Sequence, residues 1–160
     1  MTGAIIIKKS YVFFFLIVIL LVAIAHDFSV MNPVNSLRDG YYTAEEAEYY
    51  HGWKEYITIY VNNGRIVTAD FDGRNGSGFI KSWDMDYMRI MNKTDGTYPN
   101  KYVRAYVSEL VERQTTEGID AVSGATESYL SFRQLADAAI LQAGTGEGKV
   151  AFVNINREEQ

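Results

Sequence analysis

The clearest pattern in the chain is a strict alternation of apolar and polar side chains between Lys54 and Val61. This two-residue period predicts a half-buried β-strand, with Ile57, Ile59 and Val61 on the buried face. Asn62-Asn63-Gly64 follows, and Asn-Gly favours the positive φ angles of a tight turn. Arg65 to Phe71 is therefore predicted to return as the second strand of a hairpin. The alternating Tyr56, Thr58 and Tyr60 on the opposite face predict a sheet covered on both sides, by helices on one face and by a loop or a ligand on the other.

Two later segments repeat apolar side chains every three or four residues, which predicts amphipathic helices. The first runs from Tyr102 to Gln114 and ends near Gly118. The second runs from roughly Glu127 to Ala143, with Gly144 as its stop. Together with the hairpin, these segments predict an α+β fold in which a small antiparallel sheet with a central hairpin packs against two or three helices.

Weaker patterns complete this outline. A short strand is predicted at Asp39-Gly40-Tyr41-Tyr42, and Lys149 to Ile155 could add an edge strand. The intervening acidic residues Glu45, Glu46 and Glu48 predict a solvated loop or short helix. A glycine-rich segment, Phe71 to Phe79, matches neither the dinucleotide-binding fingerprint nor the P-loop, so a mobile hairpin loop is favoured over a phosphate site.

The N-terminus predicts membrane targeting. Lys8 and Lys9 precede Tyr11 to Ala25, a stretch without any charge. Ala23-Ile24-Ala25 fits a signal-peptidase site, whereas the strongly apolar run fits a retained helix that spans the membrane, and the anchor is narrowly favoured. Both interpretations put the rest of the chain on the extracytoplasmic side. The predicted organisation is an anchor or signal at 1–25, a linker at 26–38, a domain at 39–144 and a tail at 145–160.

Composition removes several classes of function. The 160 residues carry a net charge of −5, which disfavours nucleic acid as a partner. There is no cysteine, so disulfides, thiolate metal sites and a lipid anchor on cysteine are excluded. His26 and His51 are too few for a metal cluster or for a hydrolase triad.

The candidate site is the run Asp120-Ala121-Val122-Ser123-Gly124-Ala125-Thr126-Glu127-Ser128, which enters the second predicted helix. Thr126 or Ser123 is available as the N-cap, and Glu127 puts negative charge in the first turn. The small residues Ser123, Gly124 and Ala125 would also let a bulky group approach the backbone. Because the first amides of a helix are free, such a helix start favours an anion such as phosphate.

The Asp120 to Thr126 run resembles the flavinylation motif of FMN-binding domains, found in subunits of sodium-pumping quinone reductases, Rnf-type complexes and extracellular electron-transfer flavoproteins. The resemblance extends from Asp39-Gly40-Tyr41 to about Ala143. It implies that an FAD-dependent flavin transferase esterifies the FMN phosphate to the last threonine of the motif, here Thr126. Ser123, Gly124 and Ala125 would then surround the phosphate. Asp120 would stabilise the loop or help the transferase to bind its metal and flavin.

The resemblance also implies a place for the flavin ring. A related pattern after the hairpin in these domains puts Lys81, Trp83 and Tyr87 near it, although Trp83 and Tyr87 could equally form one buried stripe. Trp83, Tyr87, Trp53 and Tyr98 are all candidates to stack on the ring.

The sequence therefore predicts a bacterial, membrane-anchored electron carrier rather than a stand-alone enzyme, supplied by a membrane quinone reductase or another donor. Two alternatives stay open. One is a non-covalent FMN-binding, flavin-delivery or sensory module, and the other is a surface protein in which the motif only caps a helix.

Overall fold

The computed structural model describes residues 14–15, 17–19 and 37–157. Phe14, Phe15 and residues 17–19 are helical, and the remainder of the predicted anchor lies outside the described residues, as does the linker up to residue 36. Within the described ranges, no helix combines the length and the apolar character that crossing a membrane requires. The chain divides into two units, and the second, Leu37–Gln160, contains the folded domain.

The domain is built on a four-stranded sheet with the strand order β3-β2-β1-β4. Its strands are β1 (Gly40–Glu46), β2 (Lys54–Asn62), β3 (Arg65–Arg74) and β4 (Ala151–Val153). The β2–β3 hairpin is confirmed, and its turn residues Asn63 and Gly64 have φ angles of 52° and 71°. β1 also pairs antiparallel with β2, whereas β4 pairs parallel with β1. The sheet is therefore mixed, and the prediction of a purely antiparallel sheet was wrong.

Three helices accompany the sheet, namely α1 (Met85–Asp95), α2 (Pro99–Arg113) and α3 (Thr126–Thr145). The α+β prediction is confirmed, and α2 and α3 match the two predicted helices. α3 leads directly to β4 and supplies the crossover that a parallel neighbour requires. It continues through Gly144, and its actual stop is Gly146, whose φ is 78°.

Helix α1 was not predicted, because none of its residues is fully buried and its apolar period is therefore weak. Its ends nevertheless carry clear signals. The side chain of Asp84 accepts a hydrogen bond from the Tyr87 N–H at 2.9 Å, and Gly96 ends the helix with a φ of 70°. An aspartate and a glycine that flank eleven residues are the expected capping pair of a short helix.

The helices α2 and α3 cover one face of the sheet. Phe132 of α3 lies at the centre of this layer, with its ring 5.0 Å from that of Tyr106 and 5.3 Å from that of Phe71. The opposite face carries no helix in the described part of the chain, and its cover by a loop or a ligand stays a prediction. Tyr41 on that face is 69% exposed and stacks on Tyr60 at 4.6 Å.

The helix-covered face changes character along the strands. Its apolar half consists of Tyr42, Ala44, Ile57, Ile59, Val61 and Phe71. Its ionic half consists of Glu46 and Glu55 on adjacent strands, together with Lys81, which lies over Gly73. Glu46 and Glu55 are 2% and 5% exposed. The prediction that Glu45 and Glu46 belong to a solvated segment was therefore wrong, since both are buried in β1.

Candidate functional site

The ionic half of the sheet opens into a cleft of about 470 Å³. The strand ends form its floor, the start of α3 forms one wall and the side chains of α1 form another. The lining residues are Glu46, Tyr50, His51, Trp53, Glu55, Lys81, Tyr87, Met91, Gly124, Ala125, Thr126, Glu127, Ser128, Ser131 and Arg157. The volume lies within the range of small-molecule sites, about 300–1,000 Å³, and the mixture of rings with a few convergent polar groups is typical of them.

A buried ion pair lies at the floor of the cleft. Lys81 Nζ donates to Glu55 Oε1 at 2.8 Å, and the side chains of the two residues are only 10% and 7% exposed. The hydroxyl of Ser128 donates to the same carboxylate oxygen at 2.7 Å and lies 3.2 Å from the phenol of Tyr102. The four side chains form one connected network, which ties β2 to α2, to α3 and to the short 3-10 helix at Lys81–Trp83.

Charge is stabilised in this network even though it is buried. Burial alone would lower the pKa of Lys81, but the charge of Glu55 and the hydrogen bond to it outweigh burial and raise that pKa above its ordinary value. Burial raises the pKa of Tyr102 to about 12, while the neighbouring Lys81 opposes the shift. At neutral pH Lys81 is therefore an ammonium and Tyr102 is a neutral phenol.

Gly73 provides the room that Lys81 needs. A Cβ atom at this position would lie 3.1 Å from Cδ of Lys81 and 3.3 Å from its Cβ, which is tighter than ordinary contact. Gly73 belongs to β3 rather than to a loop, so the glycine-rich segment is partly strand. The loop that follows is held by the Asn75 side chain, which accepts N–H bonds from Ser77 at 2.9 Å and Phe79 at 3.0 Å.

Aromatic rings and one guanidinium form the upper wall of the cleft. The Trp53 and Tyr87 rings lie 6.0 Å apart, and Lys81 Nζ lies 5.8 Å from the centre of the Tyr87 ring. Tyr50 and His51 pack edge to face at 4.2 Å. The guanidinium carbon of Arg157 lies 3.8 Å from the centre of the Tyr50 ring, a cation–π contact.

The segment after β4 delivers Arg157 to the cleft. Gln134 of α3 fixes this segment, since its side chain accepts from the Asn156 N–H and donates to the Asn156 carbonyl, both at 2.8 Å. Arg157 Nη2 then donates to Glu46 Oε1 at 2.7 Å, and Arg157 Nε lies 3.4 Å from Glu127 Oε2. Glu46 also accepts from the hydroxyl of Ser131 at 2.8 Å.

The start of α3 differs from the predicted cap. Ala125 is the N-cap residue and makes no side-chain capping bond, while Thr126 is the first residue of the helix and is exposed. The prediction of Thr126 or Ser123 as N-cap was therefore wrong. The first helical bond runs from the Tyr129 N–H to the Ala125 carbonyl at 2.9 Å. The amides of the first turn consequently have neither an intrahelical acceptor nor a side-chain cap.

Gly124 is required by its own surroundings. Its φ is 79°, and a Cβ atom there would collide with the backbone carbonyl of Asp95 at the end of α1. The absence of a side chain at Gly124 thus allows the motif loop to pack against α1, in addition to leaving the edge of the cleft open.

The cleft unites five of the eight residues proposed from the sequence, namely Lys81, Tyr87, Gly124, Ala125 and Thr126. Ser123 is exposed outside the lining, and Trp83 is 67% exposed, so Trp83 and Tyr87 do not form one buried stripe. Asp120 lines a separate cavity of about 150 Å³ beside Arg113. Of the other stacking candidates, Trp53 lines the cleft, whereas Tyr98 is the N-cap residue of α2.

The sequence interpretation missed Glu46, Glu55, Ser128, Ser131 and Arg157 as cleft residues. The strand alternation does put Glu55 on the same face as Ile57, which would have marked it as a charge on the covered face. Ser128 and Ser131 lie four residues before Phe132 and Leu135, so the helical period of α3 would have put them on its buried face. Glu46 and Arg157 depend on strand register and on the arrival of the chain at β4.

Comparison with known proteins gives one curated relative and one solved structure of clear similarity. The chain is 34% identical to the 15 kDa lipoprotein of Treponema pallidum (strain Nichols) over 114 residues, which cover 71% of this chain and 81% of the relative. It is 33% identical to the crystal structure of the CPE2226 protein from Clostridium perfringens, with a TM-score of 0.71 over 75% of this chain and 99% of that one. No protein-family model matches the chain.

Proposed function

The chain belongs to the family of the Treponema pallidum 15 kDa lipoprotein, and we propose that it is a membrane-attached flavoprotein that carries electrons through FMN esterified to Thr126. The observation that supports this proposal is the position of Thr126. The threonine that ends the motif is exposed at the edge of an aromatic-lined cleft of about 470 Å³. A motif that served only to cap a helix would need neither the cleft nor an exposed hydroxyl outside the cap position.

The residues around Thr126 fit a phosphate ester. The uncapped first turn of α3 offers backbone N–H groups and the positive end of the helix dipole, both of which favour an anion. Ala125 and Gly124 carry little or no side chain at the edge of the cleft. A phosphate attached to the Thr126 oxygen would thus be adjacent to donors that lack other partners.

The cleft also fits a planar ring. Trp53, Tyr87 and Met91 supply apolar and aromatic surface, while Lys81 supplies a buried positive charge beneath it. When bound, FMN supplies the electron-transfer chemistry. The protein contributes covalent attachment and a partly dry environment, with the paired ammonium of Lys81 as a hydrogen-bond donor at the floor.

Maturation and location follow from the same proposal. An FAD-dependent flavin transferase would cleave the pyrophosphate of FAD, join the FMN phosphate to the Thr126 hydroxyl and release AMP. A membrane quinone reductase or a comparable donor would supply the electrons. The T. pallidum relative is a lipoprotein by name. The present chain contains no cysteine for lipid attachment. We therefore assign membrane attachment to the apolar N-terminal segment 1–25, with the domain on the extracytoplasmic side.

The decisive experiment is co-expression of the full chain with a flavin transferase, followed by a denaturing gel and intact mass measurement. We expect flavin fluorescence that stays with the polypeptide and a mass increase equal to one FMN less one water. Thr126→Val should abolish both signals, whereas Thr145→Val, at the other end of α3, should abolish neither.

Two outcomes would contradict covalent attachment at Thr126. A Thr126→Val variant that stays fluorescent on the gel would move the link to another residue. A yellow native protein that loses its colour on denaturation would instead support the non-covalent flavin module. A chain that acquires no flavin, whether covalent or non-covalent, when it is co-expressed with the transferase would overturn the proposal altogether.

A further inference from the structure

We propose that Arg157, thirty-one residues beyond the motif, recognises the phosphate group of the flavin. This inference rests on the proposed function and adds to it a specific phosphate-binding residue. Among the described residues that line the cleft, Lys81 and Arg157 are the permanently charged cations. Lys81 is committed to Glu55 at the floor. Arg157 is the cation that contacts the first turn of α3, through Glu127, the residue next to Thr126.

Contacts with several elements fix the position of Arg157. The guanidinium carbon lies 3.8 Å from the centre of the Tyr50 ring, and the backbone of the preceding residue is fixed at both its N–H and its carbonyl by Gln134. Its side chain is only 23% exposed. An arginine that merely solubilised the end of the chain would not be held by three separate elements.

The hydrogen-bonding of Arg157 is incomplete. Its guanidinium has five N–H donors. Nη2 is used by Glu46 at 2.7 Å and by Ser131 at 3.4 Å. Nε is buried and forms no hydrogen bond, although Glu127 Oε2 lies 3.4 Å away. A buried donor without an acceptor destabilises the fold, so an acceptor oxygen brought to this point would be favoured.

Glu127 occupies the position that a phosphate oxygen would take. Its carboxylate is loosely placed, at 3.4 Å and without hydrogen-bond geometry, and its side chain is 49% exposed. Glu127 can therefore turn into solvent at little cost, since a half-exposed ion pair contributes little. A phosphate ester on the adjacent Thr126 would replace it with a stronger, charge-assisted contact to the same guanidinium.

The test separates recognition of the phosphate from recognition of the ring. The full chain carrying Thr126→Val, made without the transferase, is titrated with FMN and with riboflavin, which lacks the phosphate, while flavin fluorescence is followed. We expect FMN to bind more tightly than riboflavin. Adding Arg157→Gln should lower the affinity for FMN at least about tenfold, because one charged hydrogen bond contributes about that factor to an affinity. The affinity for riboflavin should stay unchanged.

Two further variants control the experiment. Arg157→Lys keeps the charge and should restore part of the preference for FMN. Arg113→Gln removes the same charge from an exposed pair with Glu109, outside the cleft, and should leave the preference intact. Unchanged riboflavin affinity reports that the cleft is still folded, which matters because Arg157 also pairs with the buried Glu46.

The outcomes distinguish the two proposals. If both flavins bind but Arg157→Gln leaves the FMN preference as it was, Arg157 is not the phosphate contact and the flavin proposal survives. Equal affinity of FMN and riboflavin for the Thr126→Val chain would also show that Arg157 does not recognise the phosphate, and it would leave the flavin proposal intact. If neither flavin binds at any concentration tested, the role of Arg157 is overturned, whereas the covalent flavin proposal is decided separately by the co-expression experiment.

Discussion

The two halves of the helix-covered face are built on different physical principles. In the apolar half, Ile57, Ile59 and Phe71 pack against α2 and α3 with no exposed surface, as in an ordinary protein core. In the ionic half, Glu46 and Glu55 occupy the equivalent positions on the same strands, and their charges are compensated by Arg157 and Lys81. One end of the sheet therefore stabilises the fold by apolar packing, whereas the other end places ion pairs beside the cleft.

The contrast bears on function because buried ion pairs are poor stabilisers. The cost of removing two charges from water often exceeds their attraction, and apolar residues of similar volume usually stabilise a fold as well or better. A chain under pressure for stability alone would continue the Ile57–Ile59 pattern to position 55. Retention of the charges next to an open cleft is the arrangement expected of a binding site.

The largest effect is expected in the apolar half, from Phe132→Ala. Phe132 is fully buried and stacks on Tyr106 and Phe71. Its truncation should lower the free energy of unfolding by about 4 kcal/mol, through lost burial and a new cavity. Denaturant unfolding measures this loss, with Phe152→Ala on the exposed side of β4 as control. A loss below about 1 kcal/mol would show that Phe132 is not central to the core.

In the ionic half, Glu55→Ala should cost about 3 kcal/mol, because it leaves the Lys81 ammonium buried without its carboxylate. The double variant Glu55→Leu with Lys81→Met should recover most of that loss, since no buried charge remains. Glu109→Ala removes one partner of an exposed pair and should cost less than about 1 kcal/mol. A double variant as unstable as Glu55→Ala would show that the ion pair itself stabilises the domain.

The apolar half was predictable from the sequence because its signals are local. The alternation at Lys54 to Val61 and the Asn-Gly turn determine the β2–β3 hairpin within about twenty residues. The helical periods of α2 and α3 are equally local. Each of these patterns reports burial on one side of a single element, which a sequence displays directly.

The ionic half was not predictable in the same way, because its members meet only through long-range pairing. Glu46 becomes the neighbour of Glu55 through the β1–β2 register, and Arg157 arrives through the parallel strand β4. Glu45 and Glu46 suggest a solvated segment when seen without Arg74 and Arg157, their respective partners on distant segments. The motif at Thr126 could be found from the sequence, but its cleft could not.

A smaller effect is expected at Gly124, where the motif loop packs against the backbone at the end of α1. Gly124→Ala adds a Cβ that collides with the Asp95 carbonyl and imposes a positive φ on a residue with a side chain. We expect a loss of about 2 kcal/mol in the free energy of unfolding, from overpacking and strain together. Gly148→Ala, where a Cβ would meet nothing within 4 Å, is the control. Equal stability of both variants would mean that the motif glycine is kept for ligand access alone.

The smallest effect concerns the alkaline stability of the ionic half. The pKa of Tyr102 is raised by burial to about 12 in the folded protein, against an ordinary value of 10. Between these two values the folded state binds more protons than the unfolded state, so stability falls as pH rises from about 10 to about 12. Tyr102→Phe removes this contribution, and the variant should lose about 1 kcal/mol less than the parent between pH 9 and pH 11.

Denaturant unfolding of Tyr102→Phe and the parent chain at both pH values measures this difference. Tyr56 and Tyr106 also have a pKa of about 12, but they remain in both proteins and cancel in the comparison. At neutral pH the variant should be slightly less stable, because the Ser128 hydroxyl loses its contact with the phenol. Identical pH profiles would mean that the Tyr102 phenol is more accessible to water than its 1% exposure implies. The ionic half would then have the solvation of a protein surface and not that of a core.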